Sequence, residues 1–225
     1  MTALAAAPAS AAHAAPLPTL SLADVACRRG NRLLFKGVDL ELRAGAATWL
    51  RGRNGRGKTS LLRLAAGLAV PESGRVLWGG APLRGADGFT RTLVFIGHTN
   101  ALKDDLTVIE ALQFLARLHG RPDDSATLGD ALQRLGMATR SDAFVRTLSQ
   151  GQRRRAALAR LALERAASLW ILDEPYDALD ADGVQAVNEL LHAHLARGGA
   201  VLLTSHQAPG TAAPEMAVFD LDPYA

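Results

Sequence analysis

The sequence predicts an α/β fold that combines a mainly parallel core sheet, an antiparallel β subdomain and a helical subdomain. Strand and helix patterns alternate in the early and late parts of the chain, and parallel strands need such crossover helices between them. Helical periodicity with few strand signals separates the two parts at about residues 100–152. A hairpin pattern near the start indicates the antiparallel part. We find no internal repeat and expect one domain over residues 19–225.

Composition limits the classes of protein to which the chain can belong. A chain of 225 residues is long enough for one α/β domain with a small subdomain. Its net charge is +3 and its arginines are scattered, which does not indicate a nucleic-acid partner. The single cysteine, Cys27, excludes a disulfide framework within the chain and a multi-cysteine metal site. It fits a reducing compartment.

The first 18 residues, MTALAAAPASAAHAAPLP, are rich in alanine. We predict that residues 1–18 form a disordered extension; the alternative is a targeting segment, although the stretch lacks a basic start and a leucine core. No later run approaches the roughly twenty apolar residues that span a bilayer. We therefore expect a chain that is soluble by itself and contacts a membrane only through partners.

The first elements along the chain are two strands and a turn. LSLADVACRR turns at Gly30-Asn31 into LLFKGVDLELR, which predicts an antiparallel hairpin. The short apolar run ATWL predicts the next strand and leads into a glycine-rich loop. After the helix that follows this loop, RVLWGG and TLVFIGH predict further strands.

The glycine-rich loop lies in LRGRNGRGKTSLLRLAAGL, residues 50–68. Its glycines can reach backbone angles that turn amide N–H groups toward an anion, and the following apolar residues recur at helical spacing. The frame G-x-x-x-x-G-K-T between strand and helix is the phosphate-loop motif, whereas the alternative is a turn with an incidental lysine. Lys58 is predicted to reach the outer phosphates and Thr59 to hold Mg²⁺. The predicted loop contacts are Gly52, Asn54, Gly55, Gly57, Lys58, Thr59 and Ser60.

The middle and late parts of the chain supply helices and a pair of acids. LTVIEALQFLARLHG, SATLGDALQRLGM and a segment starting near Ser149 predict the helical subdomain. SLWILDEP then predicts a buried strand that ends in Asp173 and Glu174, at the sheet edge where the phosphate loop also lies. Asp173 is predicted to hold Mg²⁺ and Glu174 to polarise the attacking water; the alternative is a solvated strand end. GVQAVNELLHAHLAR, AVLLTSH and AVFDLD predict a helix and two more strands.

A third motif, RTLSQGQRRRAALARL, combines a helix cap with an unexplained glycine. Ser149 and Gln152 form a capping box. The box does not explain Gly151, which we expect to keep the helix N-terminus bare for a second anion. Two anion-binding helix ends with one set of acids suggest that two copies share nucleotides. The run 153–155 of three arginines is interpreted as a solvated face with one member near the bound phosphate.

These motifs and their order resemble those of ATP-binding cassette (ABC) ATPases, with Gln150 where the signature LSQGQ commonly has a glycine. The resemblance covers residues 20–206 and implies ATP and Mg²⁺ as cofactors and a head-to-tail homodimer. Ser149 and Gly151 of one copy would then contact the γ-phosphate held by Lys58 of the partner subunit, and Gln152 is predicted to be a nucleotide-binding residue beside them.

The resemblance also assigns roles near the end of the chain. It implies that His206 senses the γ-phosphate and that Asp180, in DALD, couples the two sites. The catalytic residues it implies are Lys58, Glu174 and His206.

Two positions depart from the family pattern. Arg29, in CRRGN, replaces the aromatic residue that usually stacks on adenine, and a guanidinium plane can also stack there. We therefore expect ATP binding to survive with an altered base preference. His98 replaces a glutamine that contacts Mg²⁺ and links the nucleotide to the membrane partner, so His98 is predicted to lie at the metal.

Further stretches resemble one subfamily. CRRGNRLLF, GHTNALKDDLTVIEAL, LARLHG and WILDEPYDALD are similar to the ATP-binding subunit of the bacterial haem exporter-type transporter of c-type cytochrome maturation. This implies integral membrane permease subunits as partners, no nucleic acid, and a peripheral location at the cytoplasmic face of the bacterial inner membrane. Haem export and ATP-driven release of a haem-loaded haem chaperone both stay open, because a cassette touches no substrate.

Two alternatives lie outside this subfamily. One is an ABC transporter ATPase for another substrate. The other is a soluble ABC ATPase that acts on DNA or ribosomes, although the chain has no long coiled coil, zinc cysteines or second cassette.

Overall fold

The computed structural model describes residues 16–225. Most of the predicted disordered extension, residues 1–15, lies outside the described residues. Leu17 belongs to the predicted extension, but it is buried and packs in a hydrophobic core.

The strands of residues 16–225 form two sheets, as the sequence predicts. They are β1 (Leu20–Arg29), β2 (Arg32–Leu42), β3 (Ala47–Arg51), β4 (Ser73–Trp78), β5 (Ala81–Pro82), β6 (Leu93–Ile96), β7 (Leu169–Leu172), β8 (Ala200–Thr204) and β9 (Ala217–Asp220). The antiparallel sheet has the order β2-β1-β4-β5, and the parallel sheet has the order β6-β7-β8-β3-β9. RVLWGG therefore belongs to the antiparallel sheet and TLVFIGH to the parallel one.

The helices connect and cover these sheets. They are α1 (Lys58–Ala65), α2 (Phe89–Thr92), α3 (Val108–Leu118), α4 (Ser125–Arg134), α5 (Gln150–Leu158) and α6 (Ala181–Ala196), with 3₁₀ turns at Ala138–Arg140, Val145–Thr147, Ala159–Leu163 and Asp222–Tyr224. The helices α3, α4 and α5 form the predicted helical region between β6 and β7. Short β5 and α2 carry too few residues to show a period, and the sequence did not predict them.

The helical region begins at strong caps. Thr107 and Glu110 form a capping box at the start of α3, and the Asp124 carboxylate accepts the Thr127 N–H at the start of α4. None of the described helices is both long enough and apolar enough to cross a membrane.

Strand β7 is buried on both faces. Leu169 and Ile171 belong to the core shared with the antiparallel sheet and α1, whereas Trp170 and Leu172 belong to the core shared with the helical region and α6. Burying each such side chain contributes roughly 1.5–3 kcal/mol, and a slip of one residue would exchange the two faces. The register of β7 is therefore well determined, which places Asp173 and Glu174 at its carboxyl end.

Candidate active site

The phosphate loop has the backbone that its glycines predict. Gly52, Gly55 and Gly57 have φ values of +148°, +78° and +101°, a region that other residues rarely adopt. Gly57 is the N-cap of α1, and no side chain among the described residues caps this helix. The helix start is therefore open to an anion, which the helix dipole also favours. The Lys58 ammonium group donates to the Gly52 carbonyl at 2.7 Å, which holds it beside the loop.

Asp173 connects the loop to the ends of two strands. Its Oδ2 accepts a hydrogen bond from the Thr59 hydroxyl at 2.9 Å, and its Oδ1 accepts one from the Thr204 hydroxyl at 2.8 Å. Thr204 is fully buried at the end of β8, and its hydroxyl also accepts the Glu174 N–H at 2.8 Å. The sequence interpretation missed Thr204. The sequence feature that could have revealed Thr204 is its position as a polar residue at the carboxyl end of a strand next to β7.

Glu174 is held in an unusual backbone conformation. Its φ is +52°, which costs a non-glycine residue roughly 1–3 kcal/mol. The side chain is mostly buried, with Oε2 accepting the His206 N–H at 2.9 Å and Oε1 lying 3.8 Å from His206 Nε2. The structure therefore brings Glu174 and His206 together.

One cleft of about 320 Å³ gathers most of the predicted nucleotide-binding residues. Gly52 is not on its wall but contacts Lys58, which is. The cleft is lined by Arg29, Leu34, Asn54, Gly55, Gly57, Lys58, Thr59, Ser60, His98, Asp173, Glu174 and His206. Both residues that depart from the family pattern, Arg29 and His98, thus face the same space as the phosphate loop.

A second cleft of about 410 Å³ gathers the remaining predicted residues: Ser149, Gly151, Gln152 and Asp180. Within residues 16–225, it shares no lining residue with the first cleft. Ser149 and Gln152 form the predicted capping box at the start of α5.

The reason for the glycine in the second cleft differs from our expectation. A Cβ on Gly151 would lie 2.5 Å from the carbonyl oxygen of Ala178, so close backbone approach requires a glycine here. The start of α5 is therefore packed against the segment after β7, whereas we expected the glycine to leave it open for an anion.

Asp180 caps a second helix beside this cleft. Its Oδ1 accepts the Gly183 N–H of α6 at 2.9 Å and a hydrogen bond from the Arg155 guanidinium. These two donors, the backbone N–H first, hold the pKa of Asp180 below its usual range. The same two hydrogen bonds hold the Asp180 carboxylate between α5 and α6.

The interpretation of the three arginines as a solvated face is wrong for the middle one. Arg154 is only 3% exposed, because its side chain enters the space between α5 and the strand ends. Arg153 is partly exposed and pairs with Asp104 at 2.8 Å. The Arg155 side chain is 16% exposed and pairs with Asp180, so Arg155 is not fully solvated either.

A phosphate loop opposite two strand-end acids in an α/β sheet defines a P-loop nucleotide-binding protein. The chain belongs to the ABC transporter family, whose model matches residues 35–177. The fold class and the ABC ATPase assignment predicted from the sequence are thereby confirmed, and ATP is the nucleotide of this family.

Three relatives are similar to this protein over most of its chain. The Cytochrome c biogenesis ATP-binding export protein CcmA of Aromatoleum aromaticum is 48% identical over 88% of this chain and 92% of its own length. Proteins of the same name from Albidiferax ferrireducens and Salmonella typhi are each 47% identical, over 85% and 86% of this chain and 91% and 92% of their own.

Solved structures share the fold. An ATP-binding protein from Pyrococcus furiosus has a TM-score of 0.79 at 22% identity, covering 92% of this chain and 99% of its own. The ATP-binding subunit of an ABC transporter has a TM-score of 0.73 at 25% identity, covering 83% and 79%.

Replacing Arg29 by alanine is expected to weaken ATP binding about 3- to 30-fold, since a cation stacked on an aromatic face contributes about 0.5–2 kcal/mol. Arg29→Tyr should restore the affinity, because a phenol ring can also cover the base. Titration with a fluorescent ATP analogue measures the effect. The exposed Arg32, which pairs with Arg29 across the hairpin but does not line the cleft, supplies the control Arg32→Ala. Equal affinities for all variants would place Arg29 away from the base.

Proposed function

We propose that this chain is the ATP-hydrolysing subunit of an ABC transporter complex for c-type cytochrome biogenesis, bound to permease subunits at the cytoplasmic face of a bacterial inner membrane. The observation that supports this most is the similarity, at 47–48% identity over most of both chains, to proteins named for cytochrome c biogenesis and export. Haem export and ATP-driven release of a haem-loaded chaperone are the two forms that this function could take.

The chain's own residues supply the steps of hydrolysis. Loop amides and the Lys58 ammonium group bind the outer phosphates of ATP. The Glu174 carboxylate accepts a proton from the water that attacks the γ-phosphorus, and the bond from that phosphorus to the bridging oxygen of ADP breaks. His206, whose backbone N–H donates to the Glu174 carboxylate, is the proposed sensor of the γ-phosphate.

The residues at the loop fit Mg²⁺. The Thr59 hydroxyl and the Asp173 carboxylate, 2.9 Å apart, form an oxygen-only pair of the kind this hard cation prefers. These two residues would hold the ion, and His98 on the same cleft is the third predicted contact. When bound, Mg²⁺ neutralises phosphate charge.

The separation of the two clefts supports a head-to-tail homodimer. In the part of the chain that the structure describes, no residue lines both the cleft with Lys58 and the signature cleft, which is the cleft with Ser149, Gly151 and Gln152. In a head-to-tail pair, each signature cleft closes over the nucleotide held by Lys58 of the partner subunit. Asp180, fixed by Arg155 at the edge of the signature cleft, then couples the two sites. The range 19–225 acts as one cassette, with its helical subdomain at about 100–152.

Expression of this chain should restore c-type cytochromes in a Salmonella strain that lacks its own relative, as measured by haem staining of membrane proteins. Lys58→Ala should fail to do so, because loss of one transition-state charge contact lowers kcat about 10²- to 10³-fold. The exposed Lys36 on β2 supplies the control Lys36→Ala, which should complement. Normal ATP hydrolysis without restored cytochromes, when the chain binds the host permease, would contradict the biogenesis role. Full activity of Lys58→Ala would instead contradict the phosphate-loop assignment.

A further inference from the structure

Arg154 is a buried cation that none of the roles above uses. It lies in the middle of α5, the helix that begins with the signature residues, and is 3% exposed. Burial lowers the pKa of its guanidinium, while the nearby carboxylates of Asp177, Asp173 and Glu174 favour the charged form. A buried cation is costly unless it is well bonded, so its contacts should explain its presence.

Those contacts join the ends of two neighbouring strands. One terminal nitrogen donates to the carbonyls of Asp173 at 2.7 Å and Glu174 at 2.8 Å, directly after β7. The other donates at 3.0 Å to the Gly97 carbonyl and at 3.0 Å to Asn100 Oδ1, in the segment that carries His98 after β6. A guanidinium has the planar fork needed to bridge two such pairs, whereas an ammonium group acts from a single nitrogen. Within residues 16–225, the Arg154 Nε is a buried side-chain nitrogen with no hydrogen-bond partner.

The peptide groups on both sides of the Glu174 Cα are therefore hydrogen-bonded to side chains. Thr204 accepts the Glu174 N–H from β8, and Arg154 binds the Glu174 carbonyl from α5. Glu174 has the positive φ of +52°, a conformation that persists only where the surroundings impose it. The two contacts supply that constraint from opposite sides of the residue.

We propose that Arg154 is a positioning residue for ATP hydrolysis, which holds the Glu174 backbone and the His98 segment in fixed relation to α5. It acts through Glu174 and does not touch the nucleotide. Because α5 begins at the signature cleft, Arg154 also links the position of that cleft to the carboxylate of the other cleft. This inference rests on the proposed role of Glu174 as the base.

The test compares Arg154→Gln and Arg154→Lys with wild type for kcat, KM for ATP and thermal unfolding. Arg154→Gln should lower kcat by about 10- to 100-fold, as small displacements of a catalytic group do, while KM changes less than about threefold. Arg154→Lys retains the buried charge but cannot bridge both pairs, so its kcat should lie between the other two. The matched control is Arg153→Gln on the same helix, which loses the ion pair with Asp104 and the hydrogen bonds to the Arg146 and Leu148 carbonyls. These contacts do not reach the ends of β6 and β7, so this variant should keep the wild-type kcat.

Glu174→Gln, measured in parallel, distinguishes failure of the proposed base from failure of the positioning role. If Glu174→Gln turns over like wild type, the proposed base is wrong. If Glu174→Gln is inactive while folded Arg154 variants keep the wild-type kcat, only the positioning role is overturned. An equal fall of kcat and ATP affinity in the Arg154 variants also overturns it, because general damage to the fold would do the same. If Arg154→Gln does not fold, Arg154→Lys decides alone: a reduced kcat at unchanged KM supports the role and a wild-type kcat overturns it.

Discussion

Glu174→Gln should bind ATP and yet hydrolyse it about 10²- to 10⁴-fold more slowly than wild type, because an amide cannot accept the proton of the attacking water. The substitution keeps size and shape, and the glutamine oxygen can still accept the His206 N–H that Glu174 Oε2 accepts at 2.9 Å. The cleft should therefore keep its structure while it loses its base. Bound ATP then persists, and because ATP favours the paired state, the variant should accumulate as an ATP-bound dimer.

Size-exclusion chromatography with Mg²⁺ and ATP, together with phosphate release, measures both effects. The control is Glu189→Gln on the exposed face of α6, where the carboxylate accepts a hydrogen bond from Gln185 of the same helix at 3.0 Å. This control should turn over like wild type. A Glu174→Gln protein that stays monomeric with ATP and hydrolyses at the wild-type rate would remove Glu174 from the base role.

The parts of the site that could be predicted are those whose chemistry is local in sequence. Gly52, Gly55 and Gly57 specify a loop by their own backbone freedom, and the four apolar residues of β7 locate the acids that follow them. The rule that parallel strands end at one edge then brings the Asp173 carboxylate to Thr59, and the structure places these groups 2.9 Å apart.

The parts that could not be predicted depend on contacts between distant segments. Arg154 reads as one of three surface arginines until α5 packs against the ends of β6 and β7. Likewise, Gly151 shows no reason for being glycine until the carbonyl of Ala178 approaches it. Helical periodicity was also a poor guide on α5, whose polar residues include a buried one. Such residues reveal their roles only when the packing is known.

The sharing of each ATP between two chains can be tested with two inactivating substitutions, placed either on the same chain of a dimer or on different chains. Suppose that every site combines Lys58 of one chain with Ser149 of the other. With Lys58→Ala and Ser149→Arg on the same chain and a wild-type partner, each site contains one damaged half. Both sites should then be inactive, since loss of the Lys58 contact alone lowers turnover about 10²- to 10³-fold. The large arginine side chain at the start of α5 should block the other site.

With Lys58→Ala on one chain and Ser149→Arg on the other, both substitutions lie in one site and the second site stays intact. This dimer should retain roughly half of the wild-type rate if the sites act independently, and less if Asp180 couples them. Doubly tagged heterodimers, purified with their membrane partner and assayed for phosphate release, distinguish the two arrangements. Homodimers of each single variant, checked for wild-type unfolding temperature, control for damage to the fold. Activity only when both changes share a chain would mean that each site is built within one subunit, because the partner would then carry a complete site of its own.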